Sequence, residues 1–218
     1  MRIVWQRFTT ALTPGVRIIL IVLTIVFIAT LAGKLTHTVD LPRWLAASPP
    51  DFWHGHAWRI VTYALLPAGA LNFLMNAFAL IMLGSMLERH WTRGELWLFC
   101  VIAAAGAGFT SVLLAASSSP PLTGTAPMMF GLLVAWAFIS GHEVVPFPLF
   151  GQMTVRQMVL ILAVVSFLVM LFSAGLTTAL VMSSGGLTGW LYLWLRHKWL
   201  MTRAGRTFQS ERISRLEL

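Results

Sequence analysis

QMVLILAVVSFLVMLFSAGLTTALVMSSGGLTGWLYLWL, residues 157–195, has no acidic, basic or histidine side chain along its length. A helix rises 1.5 Å per residue and the hydrocarbon core of a bilayer is about 30 Å thick, so one crossing takes about 20 residues. The stretch is two crossings long. We divide it into one span from Gln157 to Leu176 and another from Thr178 to Leu195.

Four further apolar runs precede it: Val16 to Ala32, Gly69 to Leu87, Leu96 to Ala116 and Gly124 to Ser140. Between the runs lie Asp40 to Pro42, Glu88 to Arg93, Ser117 to Pro121 and His142 to Pro148, rich in charge, proline or serine. Six spans in 218 residues leave no room for a separate soluble domain, so we expect one transmembrane domain over 1–218. A short segment, 1–15, precedes it and a basic tail, 196–218, ends it. Composition agrees. Hydrophobic residues make up 58% of the chain and charged residues 10%, with a mean hydropathy of +0.81. A water-facing domain carries about 25% charge.

The formal net charge of +8 would suit nucleic acid on a soluble basic face. Here the cations sit at span ends and in the tail, where anionic lipid is the simpler partner. The single cysteine, Cys100, excludes an intrachain disulfide and a CxxC metal site. Twelve cations fall on one side of the six-span layout. They are Arg2, Arg7 and Arg17 before span one, Arg89 and Arg93 after span two, Arg156 before span five, and six in the tail from Arg196 to Arg215. Only Lys34, Arg43 and Arg59 fall on the other. The excess of cations marks the cytoplasmic side, so both termini are expected there. Arginine outnumbers lysine 13 to 2, which points to a bacterial inner membrane; in a eukaryote the endoplasmic reticulum would be the equivalent.

The loop from His37 to Pro67 is too long for a simple turn and carries Trp44, Trp53 and Trp58. Indole rings favour the headgroup level, so this loop is expected to lie in the outer interface.

No span holds an Asp, Glu, Lys, Arg or His in its core. Proton relays, ion pathways and voltage sensors need such groups at depth, which disfavours a small-molecule transporter. There is no HExxH, and no zinc site or cofactor is expected. The polar groups at depth are neutral. Asn72 and Asn76 share one face of span two. Thr125 opens span four, and Ser183 and Ser184 precede Gly185 and Gly186 in span six. Taken singly, such residues act first as interhelical hydrogen-bonding glue, and Ala103, Gly106, Ala107 and Gly189 as close-packing positions.

Their order along the chain resembles the rhomboid superfamily of intramembrane serine proteases, over roughly Trp53 to Trp194. Trp58-Arg59-Ile60-Val61-Thr62 looks like the first-loop motif Trp-Arg-x-x-Thr. Asn76 matches the asparagine of HxxxN in span two, and Gly84 and Glu88 match the end of that span. Gly124 matches the first glycine of GxSG, and Gly186 the glycine of AHxxG. The resemblance implies an all-α, six-transmembrane-helix bundle with an interfacial first loop.

The chemical positions of the motif are missing. Ala126 stands where the family has its nucleophilic serine, Ser183 where it has the general-base histidine, and Asn72 where it has the first residue of HxxxN. Alanine has no nucleophile and a serine is no base near neutral pH, so acyl transfer has no starting point. In this the chain is similar to rhomboid-like pseudoproteases, Derlins in particular. The resemblance implies a non-catalytic protein that binds transmembrane helices of client proteins as an adaptor, chaperone or dislocation factor. Its cavity would be lined by Asn72, Asn76, Gly124, Thr125, Ala126, Ser183 and Gly186, with Phe167, Met170 and Phe172 as a deformable gate. A protease with atypical catalytic residues, Thr125 or the loop histidines His54 and His56 among them, is the competing reading.

The orientation is open to direct measurement. In a Cys100→Ala background, single cysteines at Thr9 and Ser210 should both react with a membrane-impermeant maleimide from the cytoplasmic face. Reaction from opposite faces would rule out an even number of crossings.

Overall fold

The computed structural model describes residues 12–36, 40–114, 121–147 and 151–214. Arg2, Arg7, His37, Ala115, Ala116 and Arg215 lie outside the described residues. Helix α1 is Pro14–Thr36. The first loop folds into three short helices, α2 (Leu41–Leu45), α3 (Pro49–Trp53) and α4 (Arg59–Thr62), and a 3-10 turn, Tyr63–Leu65. The second apolar run forms α5 (Ala70–Ala79), a π-helical turn at Leu80–Gly84, and α6 (Ser85–Glu88). Then come α7 (Arg93–Leu114), α8 (Ala126–Ile139) and the long α9 (Val155–Ser214).

Among the described residues, four helical stretches are long and apolar enough to cross a membrane: Pro14–Thr36, Ala70–Glu88, Arg93–Leu114 and Val155–Trp199. The chain is thus built as a helical integral membrane protein. At 14 residues α8 is about 21 Å long, short of a full crossing.

The expected fifth and sixth spans are the two arms of α9, which meet at Gly175 in a non-helical conformation (φ 86°, ψ 169°) that glycine adopts without a Cβ clash. The arms fold back on each other. At the start of arm one, Arg156 N–H donates to the carbonyl of Gly141, just past α8, at 3.3 Å. At the far end of arm two, the ring of His197 lies 6.1 Å from Phe138, near the C-terminus of α8. Residues 41 positions apart in α9 therefore meet the same end of one short helix, and a straight helix would hold them about 60 Å apart.

The described residues are mostly helical, as expected for an all-α membrane protein. The connection that begins at His142 also carries a two-stranded antiparallel hairpin, Val144–Phe147 (β1) and Gly151–Thr154 (β2), with Val144 opposite Thr154. It ends on Thr154, whose Oγ1 accepts from Gln157 N–H (3.3 Å) while Gln157 Oε1 accepts from Thr154 N–H (3.1 Å). This reciprocal capping starts arm one at Val155, two residues before the sequence reading placed it. Thr92 and Glu95 cap α7 in the same way, at 3.0 and 3.3 Å.

The core runs along α7, α8 and arm two: Leu96, Phe99, Cys100, Leu132, Ala135 and Leu193 are buried together. Small residues permit the contacts. A methyl group at Gly131 would meet Ala103, one at Gly189 would meet Phe99, and one at Gly185 would drive into the Pro127 carbonyl. Without a hydrophobic force between helices in lipid, this closeness and its dispersion contacts hold the bundle. The outward faces are apolar and exposed: Ile25 and Ile28 on α1, Leu160, Val165 and Phe172 on arm one.

Glu88 fastens the N-terminus of α1. Its carboxylate accepts the backbone N–H groups of Gly15 (2.8 Å) and Val16 (3.1 Å) and the hydroxyl of Thr13. A helix start has unpaired N–H groups and partial positive charge, and a carboxylate satisfies both. Gly84, one turn earlier, makes room for Val16. Glu88→Gln should lower stability by about 2 kcal/mol, and at this chain length the melting temperature by about 4–8 °C. A melt in detergent with an unchanged midpoint would show that the cap carries no stability.

Candidate functional site

The residues of the Trp-Arg-x-x-Thr segment occupy one turn of helix, α4, and its spacing explains itself there. Arg59 and Thr62 stand three apart, hence on one face. Thr62 Oγ1 donates to the carbonyl of Leu45 at 3.1 Å. Arg59, only 8% exposed, pairs through Nη1 with the carboxylate of Asp51. A carbonyl anchor would be the simpler expectation for this arginine; the structure gives it a carboxylate, which also accepts the hydroxyl of Ser48. The Ser48 hydroxyl first, and then the Arg59 guanidinium, hold the Asp51 carboxyl below its ordinary value, against the opposing pull of partial burial. Trp58 caps the turn, its ring exposed and set edge-on to His56 at 4.9 Å. His56 Nδ1 and Arg59 Nε are buried without a hydrogen-bond partner.

The loop does more than lie on the outer surface. Tyr63, Ala64 and Leu66 are buried, and Tyr63 O–H donates to the carbonyl of Ala104 in the middle of α7 at 2.9 Å. At the Tyr63 level the loop also reaches the non-helical lead into α8. Gly124 N–H donates to the Tyr63 carbonyl at 3.3 Å, and Leu122 and Ala47 exchange two backbone bonds at 2.7 and 3.1 Å. Irregular backbone at membrane depth persists only where protein satisfies it, and the first loop does so here.

Ala126 is the first residue of α8 and is half-buried. Thr125 is 2% exposed, and its Oγ1 has no hydrogen-bond partner. Across from it, Gly185 packs on the Pro127 backbone and Gly186 lies beside Phe130 and Val134. The segments Gly124–Pro127 and Ser183–Gly186 are therefore brought together. Ser183 is half-buried, and the hydroxyl of its neighbour Ser184 donates within its own helix to Val181 at 2.7 Å. Asn72 and Asn76 join each other, Asn76 Nδ2 donating to Asn72 Oδ1 at 2.8 Å. Gly84 and Glu88 belong to the α1 junction described above.

A cavity of about 250 Å³ lies elsewhere, between α1, α4 and α7. Of the expected site residues only Thr62 lines it.

The sequence reading missed Asp51, Tyr63 and the ion pair between Arg196 and Glu95, which ties the end of arm two to the start of α7. The pair is strengthened by Trp91, whose ring centre lies 5.8 Å from the Arg196 guanidinium carbon. The two capping boxes did have a signal, Thr-x-x-Glu and Thr-x-x-Gln ahead of apolar runs. The long-range pairs had none.

These features define a polytopic helical integral membrane protein. The chain belongs to a family described as eukaryotic integral membrane protein (DUF1751), whose model matches residues 17–206. That eukaryotic family fits the endoplasmic-reticulum alternative and lends no support to a bacterial inner membrane. No curated protein matches the chain.

Because the Asp51 carboxyl is held low, its contribution to loop stability is present at neutral pH and is lost as pH falls through and below the ordinary carboxylate range. The melting temperature in detergent should fall between about pH 5 and pH 3, and Asp51→Asn should flatten that part of the profile. Arg59→Ala should lower the melting temperature at pH 7 by several degrees; an unchanged value would mean the ion pair is idle.

Proposed function

We propose that this protein is a non-catalytic, rhomboid-like membrane protein that binds transmembrane segments of other proteins, in an adaptor, chaperone or dislocation role. One packing observation carries the proposal. Helix α5 buries none of its residues, and arm one of α9 buries only Val155 and Val159 before Gly175. The two elements that would flank a lateral opening are thinly packed: α5 touches the bundle through Phe73, stacked on Phe27 at 4.5 Å, and arm one buries little before Gly175. An apolar helix without protein packing has lipid as its neighbour and can exchange that lipid for a client helix at little cost. Phe172, 85% exposed on arm one, fits the gate role suggested by the sequence.

Six crossings with both termini cytoplasmic complete this reading. The fold-back at Gly175 supports the count, with α8 as a short central span. The scaffold residues have work that needs no catalysis: Arg59 holds the loop, Gly84 admits α1 and Glu88 caps it. A threonine protease is the weaker alternative. Thr125 Oγ1 has no hydrogen-bond partner, so no base is in place to take its proton. A small-molecule transporter is disfavoured because the core of each apolar run lacks Asp, Glu, Lys, Arg and His.

The test is cleavage of a model rhomboid substrate in proteoliposomes, with site-specific photocrosslinking from Phe172 and Leu74 to a single-span client. The unmodified protein should crosslink and not cleave, whereas the variant Ala126→Ser with Ser183→His should gain cleavage. Cleavage by the unmodified protein that is lost in Thr125→Val would overturn the non-catalytic reading. Absence of client crosslinks at both positions would overturn the binding role.

A further inference from the structure

The cavity of about 250 Å³ is not part of the region discussed above, and nothing in the client-binding reading uses it. Its two walls are Ile18 and Val22 of α1 and Trp97 and Val101 of α7. All four are also exposed on the bundle's outer surface, between 38% and 45%. The floor is protein: Leu65 of the inserted loop and Met128 of α8. This is a slot open sideways to hydrocarbon and closed inward. Along α7 it runs from Trp97 to Ala104, about 10 Å, from near the helix start to its middle.

At its inner end the slot meets the loop, with Thr62 its one hydroxyl; cations gather at the other end. Trp97 Nε1 donates to the Gly15 carbonyl at 3.3 Å, closing the slot at the level where α1 and α7 begin. Three arginines with exposed side chains surround that rim: Arg17 in the first turn of α1, Arg89 in the turn before α7, and Arg93, one helical turn before Trp97 on the same face. The one acid among them, Glu88, is buried and occupied by the α1 N-terminus; its contact with Arg93 is long, 3.9 Å, and leaves the Arg93 side chain 66% exposed. An apolar slot opening to lipid, with exposed guanidinium groups at its headgroup end, matches one occupant in both shape and charge.

We infer that the slot between α1 and α7 binds one acyl chain of an anionic phospholipid, with its phosphate on Arg17 and Arg93. A chain in bulk bilayer is already in an apolar medium, so apolar contact alone gives no preference. Selectivity comes from the arginines, each favouring an anionic headgroup. A client helix is excluded by volume, since a 10 Å length of helix about 10 Å across fills roughly 800 Å³, against about 250 Å³ in the slot.

Phosphatidylglycerol and phosphatidylcholine carrying a photoreactive diazirine in one chain distinguish the sources. The full chain is placed in nanodiscs of unlabelled phosphatidylcholine with a trace of either probe, irradiated and mapped by peptide mass spectrometry. The phosphatidylglycerol probe should label the peptides spanning Ile18–Val22 and Trp97–Ala104 above the exposed positions Leu74 and Phe172. Val22→Trp or Val101→Trp, each filling the slot from an exposed wall, should abolish that excess while the melting temperature is kept. Arg17→Gln with Arg93→Gln should lower the preference for the anionic probe by about tenfold and leave labelling by the zwitterionic probe unchanged. Labelling spread evenly over the outer surface, or insensitive to both filling variants, would overturn the site. Equal labelling by the two probes in the unmodified protein would overturn the anionic assignment.

Discussion

A helix of 14 residues does not span a hydrocarbon core, so the backbone leading into α8 must find its hydrogen-bond partners inside the protein at membrane depth. This constraint organises the upper half of the molecule. The first loop cannot remain on the surface; it dips inward so that Ala47 pairs with Leu122 and the Tyr63 carbonyl takes the Gly124 N–H. A loop inserted that far needs anchors, and the Arg59–Asp51 pair and the Tyr63 bond to α7 supply them. It also needs space, and Gly108 of α7 gives it, lying against the Ile60 backbone where a methyl group would not fit.

The opposite end is built on charge at helix termini. Glu88 closes α1, Thr92 with Glu95 closes α7, and Glu95 then reaches Arg196 at the end of arm two. Two acids on either side of one turn thereby fix three helices by groups that are strong where water is scarce. The middle of the bundle, in contrast, relies on the small-residue seam of α7, α8 and arm two.

Ala126 and Ser183 stand beside that seam. The contact between the two segments is made by Gly185 on the Pro127 backbone, one residue beyond Ala126 and two beyond Ser183.

The division between what composition reveals and what contact decides follows from the range of each interaction. Membrane residence and the positions of the apolar helices belong to single residues and local runs, and each was legible along the chain. Glu88, Gly84, Arg59 and Thr62 were legible as a motif, but not what they touch, because a motif names positions and not partners. The hairpin at Val144–Thr154 was hidden in a short segment without clear alternation. The pairing of Arg59 with Asp51, the burial of Tyr63 and the slot between α1 and α7 were decided only in three dimensions. Each depends on where residues distant in sequence are brought by packing, and local periodicity contains no term for that distance.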